Sequence, residues 1–124
     1  MGDIFFILGA LSAGLGVAAG AFGAHGLKSI LSPDRLETYE KAVRYQTTHA
    51  LALLAVALAH HPWPDQADLL AVSGWLFIAG SVLFSGSLYA LVLSGRRWLG
   101  AVTPFGGLAF IAGWVILAMV AVWG

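Results

Sequence analysis

The chain has 124 residues, 60% of them hydrophobic and only 10% charged, with six charges of each sign and a mean hydropathy of +0.88. A soluble domain carries about 25% charged residues and one of this length cannot bury its whole surface, which excludes a soluble monomer and, with so much hydrophobicity, a disordered chain. Zero net charge argues against nucleic-acid binding, and the lack of cysteine removes disulfides, thiolate chemistry and zinc–thiolate sites.

The charges occur in four places: Asp3, the stretch from Lys28 to Arg44, Asp65 with Asp68, and Arg96 with Arg97. Between them lie Ile4–Leu27, Tyr45–Pro64, Leu69–Gly95 and Trp98–Gly124, uncharged runs of 24, 20, 27 and 27 residues. A spanning helix needs about 20 mainly apolar residues. A soluble bundle would need polar outer faces, and the runs show none. The expected fold is therefore all-α: a polytopic membrane four-helix bundle in one domain. Its spans are expected at about 4–24, 45–61, 71–93 and 103–123, with an amphipathic cytoplasmic segment between helices one and two at about 33–44.

In helix one, Ser12, Gly16, Gly20 and Ala24 recur every fourth residue, a ridge where a neighbouring backbone approaches closely. The ridge suits packing within the chain; a homodimer seam is the alternative. A cleaved leader would open with basic residues, and here the first charge is Asp3.

Ser32 is suited to cap a helix with Pro33 in its first turn. Leu36, Tyr39 and Val43 then form an apolar stripe, and Glu37–Lys41 and Glu40–Arg44 are favourably oriented i,i+4 pairs. This reads as an interfacial amphipathic stretch. It is expected to run into helix two unbroken, because no Gly or Pro occurs from Asp34 to His61. In helix three, Ser73, Gly80 and Ser87 make a small face at heptad spacing. Helix four is expected to start at Thr103-Pro104, with Thr103 as cap and Gly106, Ala109 and Gly113 as its small face.

Lys28, Arg35, Lys41 and Arg44 lie between helices one and two; Arg96 and Arg97 lie between helices three and four. Four spans put all six on one side. The positive-inside rule makes that side the cytoplasm of a bacterial inner membrane, with both termini outside. Trp63, Trp75 and Trp123 then map to the outer interface, and Tyr39, Tyr45 and Trp98 to the inner one. Trp114 falls in mid-membrane, either packed or facing lipid.

The candidate site is a polar cluster where helix one ends and helix two begins: His25, Arg44, Gln46 and His49, with the two histidines expected at similar depth and Gln46 and His49 on one face. Such groups are costly at a membrane boundary unless paired or hydrated. They suit a pocket for a ligand, ion or lipid head group, or an interhelical hydrogen-bond clamp. Two histidines fall short of the three or four ligands of a metal site. His60, His61, Asp65 and Asp68 form an outer acidic-imidazole loop, read as solvated rather than metal-binding. Ser85 and Ser87 are read as packing residues. No Asp or Glu lies within a span, which counts against a proton-coupled exporter. No catalytic residue, cofactor site or metal site is assigned.

Four segments also resemble a known family. Gly20–Leu27 reads GAFGAHGL, Ala42–Leu54 AVRYQTTHALALL, Leu83–Leu91 LFSGSLYAL and Gly100–Trp114 GAVTPFGGLAFIAGW. In this order they resemble domain-of-unknown-function family 423, the YgdD-like small inner-membrane proteins. The resemblance implies four helices in the inner membrane and no assigned activity. Its motif positions include His25, Arg44, Gln46, His49, Ser85, Thr103, Pro104 and Gly106. Tyr39-Glu40 departs from the Trp-Glu often found there.

Three functions fit these residues. The first is a non-enzymatic accessory protein acting through helix packing, as a homo-oligomer or in a larger membrane complex. The second is permeation of ions or small solutes by a homo-oligomer. The third is binding of membrane lipid or another hydrophobic ligand at the cytoplasmic interface, with Arg44, Arg96 and Arg97 meeting phosphate.

Overall fold

The computed structural model describes residues 2–124, and every regular element among them is helical. Helix α1 covers Gly2–Phe22 and closes in a π-helical turn, Gly23–Leu27. Helix α2 covers Pro33–Ala59. Helix α3 (Ala67–Ser81) continues through a π-helical turn, Val82–Gly86, into α4 (Ser87–Ser94), and α5 covers Thr103–Trp123. Short 3₁₀ turns at Pro64–Gln66 and Arg97–Ala101 lead into α3 and α5.

Three stretches are long and apolar enough to cross a membrane: Gly2–Leu27, Pro64–Ser94 and Arg97–Trp123, with mean hydropathies of 2.0, 2.0 and 2.3. Helix α2 is also long, 27 residues or about 40 Å. Its first half carries Asp34, Arg35, Glu37, Glu40, Lys41 and Arg44, which dilute the apolar second half.

Helix α2 carries the charged stretch into the apolar one without a break, as the lack of Gly and Pro from Asp34 onward led one to expect. It is one uninterrupted rod, begun as expected: Ser32 Oγ accepts the Arg35 N–H at 3.3 Å and Pro33 occupies the first turn. The apolar stripe of its first half faces protein rather than lipid. Tyr39 is buried with Leu27 and Val92, and Leu36 and Val43 pack against that cluster.

Helices α1 and α2 run antiparallel in close contact. A Cβ on Gly9 would lie 2.8 Å from the Ala50 carbonyl oxygen, one on Gly16 2.7 Å from Thr47 Oγ1, and one on Gly23 2.5 Å from the Tyr39 ring. The seam is thus a heptad, Gly9–Gly16–Gly23, all three buried. It shares only Gly16 with the expected fourfold ridge as a buried position: Ser12 and Gly20 are half-buried and Ala24 is exposed. Seven-residue spacing suits two helices crossing at a shallow left-handed angle, whereas a four-residue ridge suits a right-handed crossing.

On the small faces of the later helices, Ala109 is half-buried and the other positions pack inside. Ser73, Gly80 and Ser87 are buried, as are Gly106 and Gly113. Gly80 accommodates the Phe110 ring, Gly106 the Phe84 backbone and Gly113 the Phe77 ring. Phe5 from α1 wedges over Gly74, and the core continues through Val56, Leu70, Phe77 and Val120. The start of α5 corrects one detail. Thr103 makes no capping bond; its hydroxyl lies 2.6 Å from Ser87 Oγ, so it joins α5 to α4 instead.

Candidate functional site

The four residues expected to cluster are not brought together. His25 lies exposed on the π-helical turn after α1. The antiparallel register sets Gly23 against Tyr39 and Gly16 against Thr47, so His25 is level with the first turns of α2. His49 lies between the levels of Gly9 and Gly16, on the order of 15 Å deeper along the axis. The expectation of similar depth fails because α2 starts well before Tyr45 and overlaps the whole of α1. Arg44 is exposed and lines a cleft of about 270 Å³ with Glu40, Tyr39, Gly20 and Gly23.

Gln46 and His49 also part company. Gln46 Nε2 donates to the Ser12 carbonyl at 3.0 Å, and its Oε1 accepts from Tyr89 Oη–H at 2.6 Å. One amide therefore ties α2 to α1 and α4. His49 faces α5. Residues three apart are offset by about 60° around a helix, enough to serve different neighbours when the helix is flanked on both sides.

The His49 environment defines its protonation. Its Nδ1 lies 2.8 Å from the Tyr45 carbonyl, which can only accept, so Nδ1 carries the proton. Its Nε2 is then the acceptor, and Trp114 Nε1–H donates to it at 3.1 Å. The ring is 4% exposed and stacks on Phe110, with centroids 3.4 Å apart and planes 6° from parallel. Both nitrogens are satisfied by the neutral imidazole. A second ring proton would point a donor at the indole N–H. Tyr45, Phe84 and Ile111 complete a lateral cleft of about 340 Å³ beside the histidine.

Other hydroxyls act similarly. Ser73 Oγ donates to the Gly113 carbonyl and Ser85 Oγ to the Ala42 carbonyl, each at 2.8 Å and buried. Ser87 Oγ bonds the Phe84 carbonyl at 2.9 Å besides Thr103. Tyr39 Oη–H donates to the Ala19 carbonyl at 2.5 Å. Sequence reasoning missed Tyr39, Tyr89 and Trp114 as polar partners. Tyr89 lies in the LFSGSLYAL segment, and the mid-membrane position of Trp114 was the visible signal for it.

Of the expected phosphate contacts, Arg96 and Arg97 are exposed beyond α4. The residue of α2 nearest that end is Arg35, whose Nη2 would lie 2.6 Å from a Cβ on Gly95. Arg44 is nine residues further along α2, about 13 Å away, on the α1 side. In the outer loop, His60 turns inward: its Nδ1 lies 3.0 Å from the Val56 carbonyl, and its Nε2 is buried without a partner. No group of three His, Asp or Glu among the described residues is placed to hold a metal ion.

A family model described as "Protein of unknown function (DUF423)" matches residues 19–107. A UPF0382 membrane protein of Staphylococcus saprophyticus is 47% identical over 116 residues, 94% of each chain. The UPF0382 membrane protein YwdK of Bacillus subtilis is 44% identical over 119 residues, 96% of each. One from Staphylococcus aureus is 46% identical over 114 residues, 92% of this chain and 91% of the relative. No solved structure matches the chain. With His25, Arg44, Gln46, His49, Ser85, Thr103, Pro104 and Gly106 all inside the matched region, the chain belongs to the DUF423 family and is a small helical membrane protein.

Proposed function

We propose that the protein is a non-enzymatic accessory protein of the bacterial inner membrane, acting through lateral helix contacts with a second copy or a larger membrane complex. In this reading α2 crosses as the fourth span with its apolar second half. The basic loops face the cytoplasm, and both termini lie outside.

One observation carries the reading: how the intramembrane polar groups are used. Gln46, His49, Ser73, Ser85, Ser87 and Thr103 each bond another group of the same chain. These bonds hold helices together and leave no polar side chain of this set free to line a conduction path. The outward faces carry large apolar side chains such as Leu11, Leu15, Leu108 and Ile111, each more than half exposed. A surface of this kind meets lipid or other helices.

Crosslinking in native membranes followed by mild-detergent purification tests the reading. The expected outcome is a discrete complex, of two copies or with a specific partner. A strictly solitary monomer counts against it. Solute flux in liposomes that is lost in His49→Ala would favour permeation instead.

A further inference from the structure

Helices α1 and α4 both pack against α2, and a gap separates them on the side that carries the basic loops. On the opposite side the gap is closed, because the Phe5 ring fills the space over Gly74 and meets Trp75 edge-on at 5.6 Å. On the basic side it stays open. The result is a groove of about 480 Å³, walled by Leu15, Ala19 and Phe22 of α1 and by Tyr89 and Leu93 of α4. Gln46 forms part of the floor, and Leu27 marks the end next to the basic loop.

We propose that this groove holds one acyl chain of an anionic phospholipid from the leaflet on the basic side. Three features point to that occupant. The first is length. The α1 wall of the groove extends from the level of Leu15 to that of Leu27, about 18 Å of helix, close to half of a hydrocarbon core about 30 Å thick. The second is calibre. A volume of about 480 Å³ over that length is far narrower than a helix, about 10–12 Å across with its side chains. It suits a chain rather than a partner helix. The floor presents no free polar group to repel one: the Gln46 amide is bonded to Ser12 and Tyr89, and the Tyr39 hydroxyl to Ala19.

The third feature is charge. Lys28 directly follows Leu27 at the groove end, and Arg96 lies three residues beyond Leu93. Arg35 lies over Gly95, the residue before Arg96. All three are exposed, and neither Lys28–Ser32 nor Ser94–Val102 contains an acidic residue. A phosphate at the mouth of the groove therefore meets clustered positive charge. Arg44 is not part of this mouth, since it lines the separate cleft beside Glu40.

The inference does not rest on the accessory role proposed above. A solitary monomer can carry the lipid, and a complexed protein can lack it. The test is native mass spectrometry of the protein from nanodiscs of phosphatidylglycerol and phosphatidylcholine with identical acyl chains. Wild type should retain one phospholipid, enriched in phosphatidylglycerol. Ala19→Phe, which fills the groove from its wall, should lose it, while Leu108→Phe on the exposed face of α5 should not. Lys28→Gln with Arg96→Gln, both at exposed positions, should keep a lipid but lower the preference for phosphatidylglycerol by about fivefold per charge removed. Wild type without retained lipid, a folded Ala19→Phe with undiminished occupancy, or an unchanged preference in the charge variant would each overturn the proposal. If Ala19→Phe does not fold, the charge variant decides alone.

Discussion

Gln46 and His49 sit at helix contacts where each polar atom of their side chains has a named partner. A Gln46→Leu change removes two bonds at once, to the Ser12 carbonyl and to Tyr89. Interhelical bonds of this kind contribute about 0.6 kcal/mol on average and up to about 1.7 kcal/mol. Gln46→Leu should therefore cost about 1–2 kcal/mol in a denaturing-detergent titration, and Tyr89→Phe about half that. The double variant should cost no more than Gln46→Leu with its one remaining unpaired hydroxyl, because the shared bond can be lost only once. Simple additivity would show that the two side chains are not bonded. For His49 the expected result is spectroscopic. Nitrogen-15 shifts of labelled histidine should show a protonated Nδ1 and a bare, hydrogen-bonded Nε2 at neutral pH. The opposite tautomer is incompatible with Tyr45 and Trp114 as partners.

At the scale of elements, the α1–α2 seam separates glycines that matter from glycines that do not. Gly9 faces a backbone atom: its added Cβ would lie 2.8 Å from the Ala50 oxygen, and a carbonyl cannot rotate away as a side chain can. Gly9→Ala must push the helices apart and should cost about 1–3 kcal/mol. Gly14 has nothing within 4 Å of an added Cβ. Gly14→Ala should therefore be neutral or stabilising by up to about 1 kcal/mol, since alanine is the better helix former. Thermal unfolding of the two variants in one detergent provides the comparison, and equal melting temperatures would refute the seam. Gly106, set against the Phe84 backbone, should behave like Gly9. The π-helical turn at Val82–Gly86 lies beside this contact and contains Ser85, whose hydroxyl reaches the Ala42 carbonyl.

For the whole molecule, the decisive question is whether α2 crosses the membrane. The chain has no cysteine, so single introduced cysteines report topology without background. Asp65→Cys should react with a membrane-impermeant maleimide in intact spheroplasts. Lys28→Cys and Arg97→Cys should react only after lysis. If Asp65 and Lys28 are labelled from the same side, α2 does not cross, and the orientation inferred from the six basic residues fails with it.

The sequence by itself determined the class of the molecule. Sixty per cent hydrophobic residues with twelve charges confined to four places specify membrane helices, because charge density and run length are properties of the chain alone. It also marked Ser73, Gly80, Ser87, Gly106 and Gly113 as packing residues, since small side chains at helical spacing have little other use in lipid. Only the tertiary structure decided how these faces meet. The seam on α1 proved to be Gly9–Gly16–Gly23 because Ala50, Thr47 and Tyr39 of α2 press on those positions, and which positions are pressed depends on both partners. The polar cluster dissolved for the same kind of reason. Depth depends on where α2 begins relative to the end of α1, and facing depends on which helices flank it. His25 was thereby left at the surface, Gln46 turned to Tyr89, and His49 turned to Trp114, a partner 65 residues away along the chain.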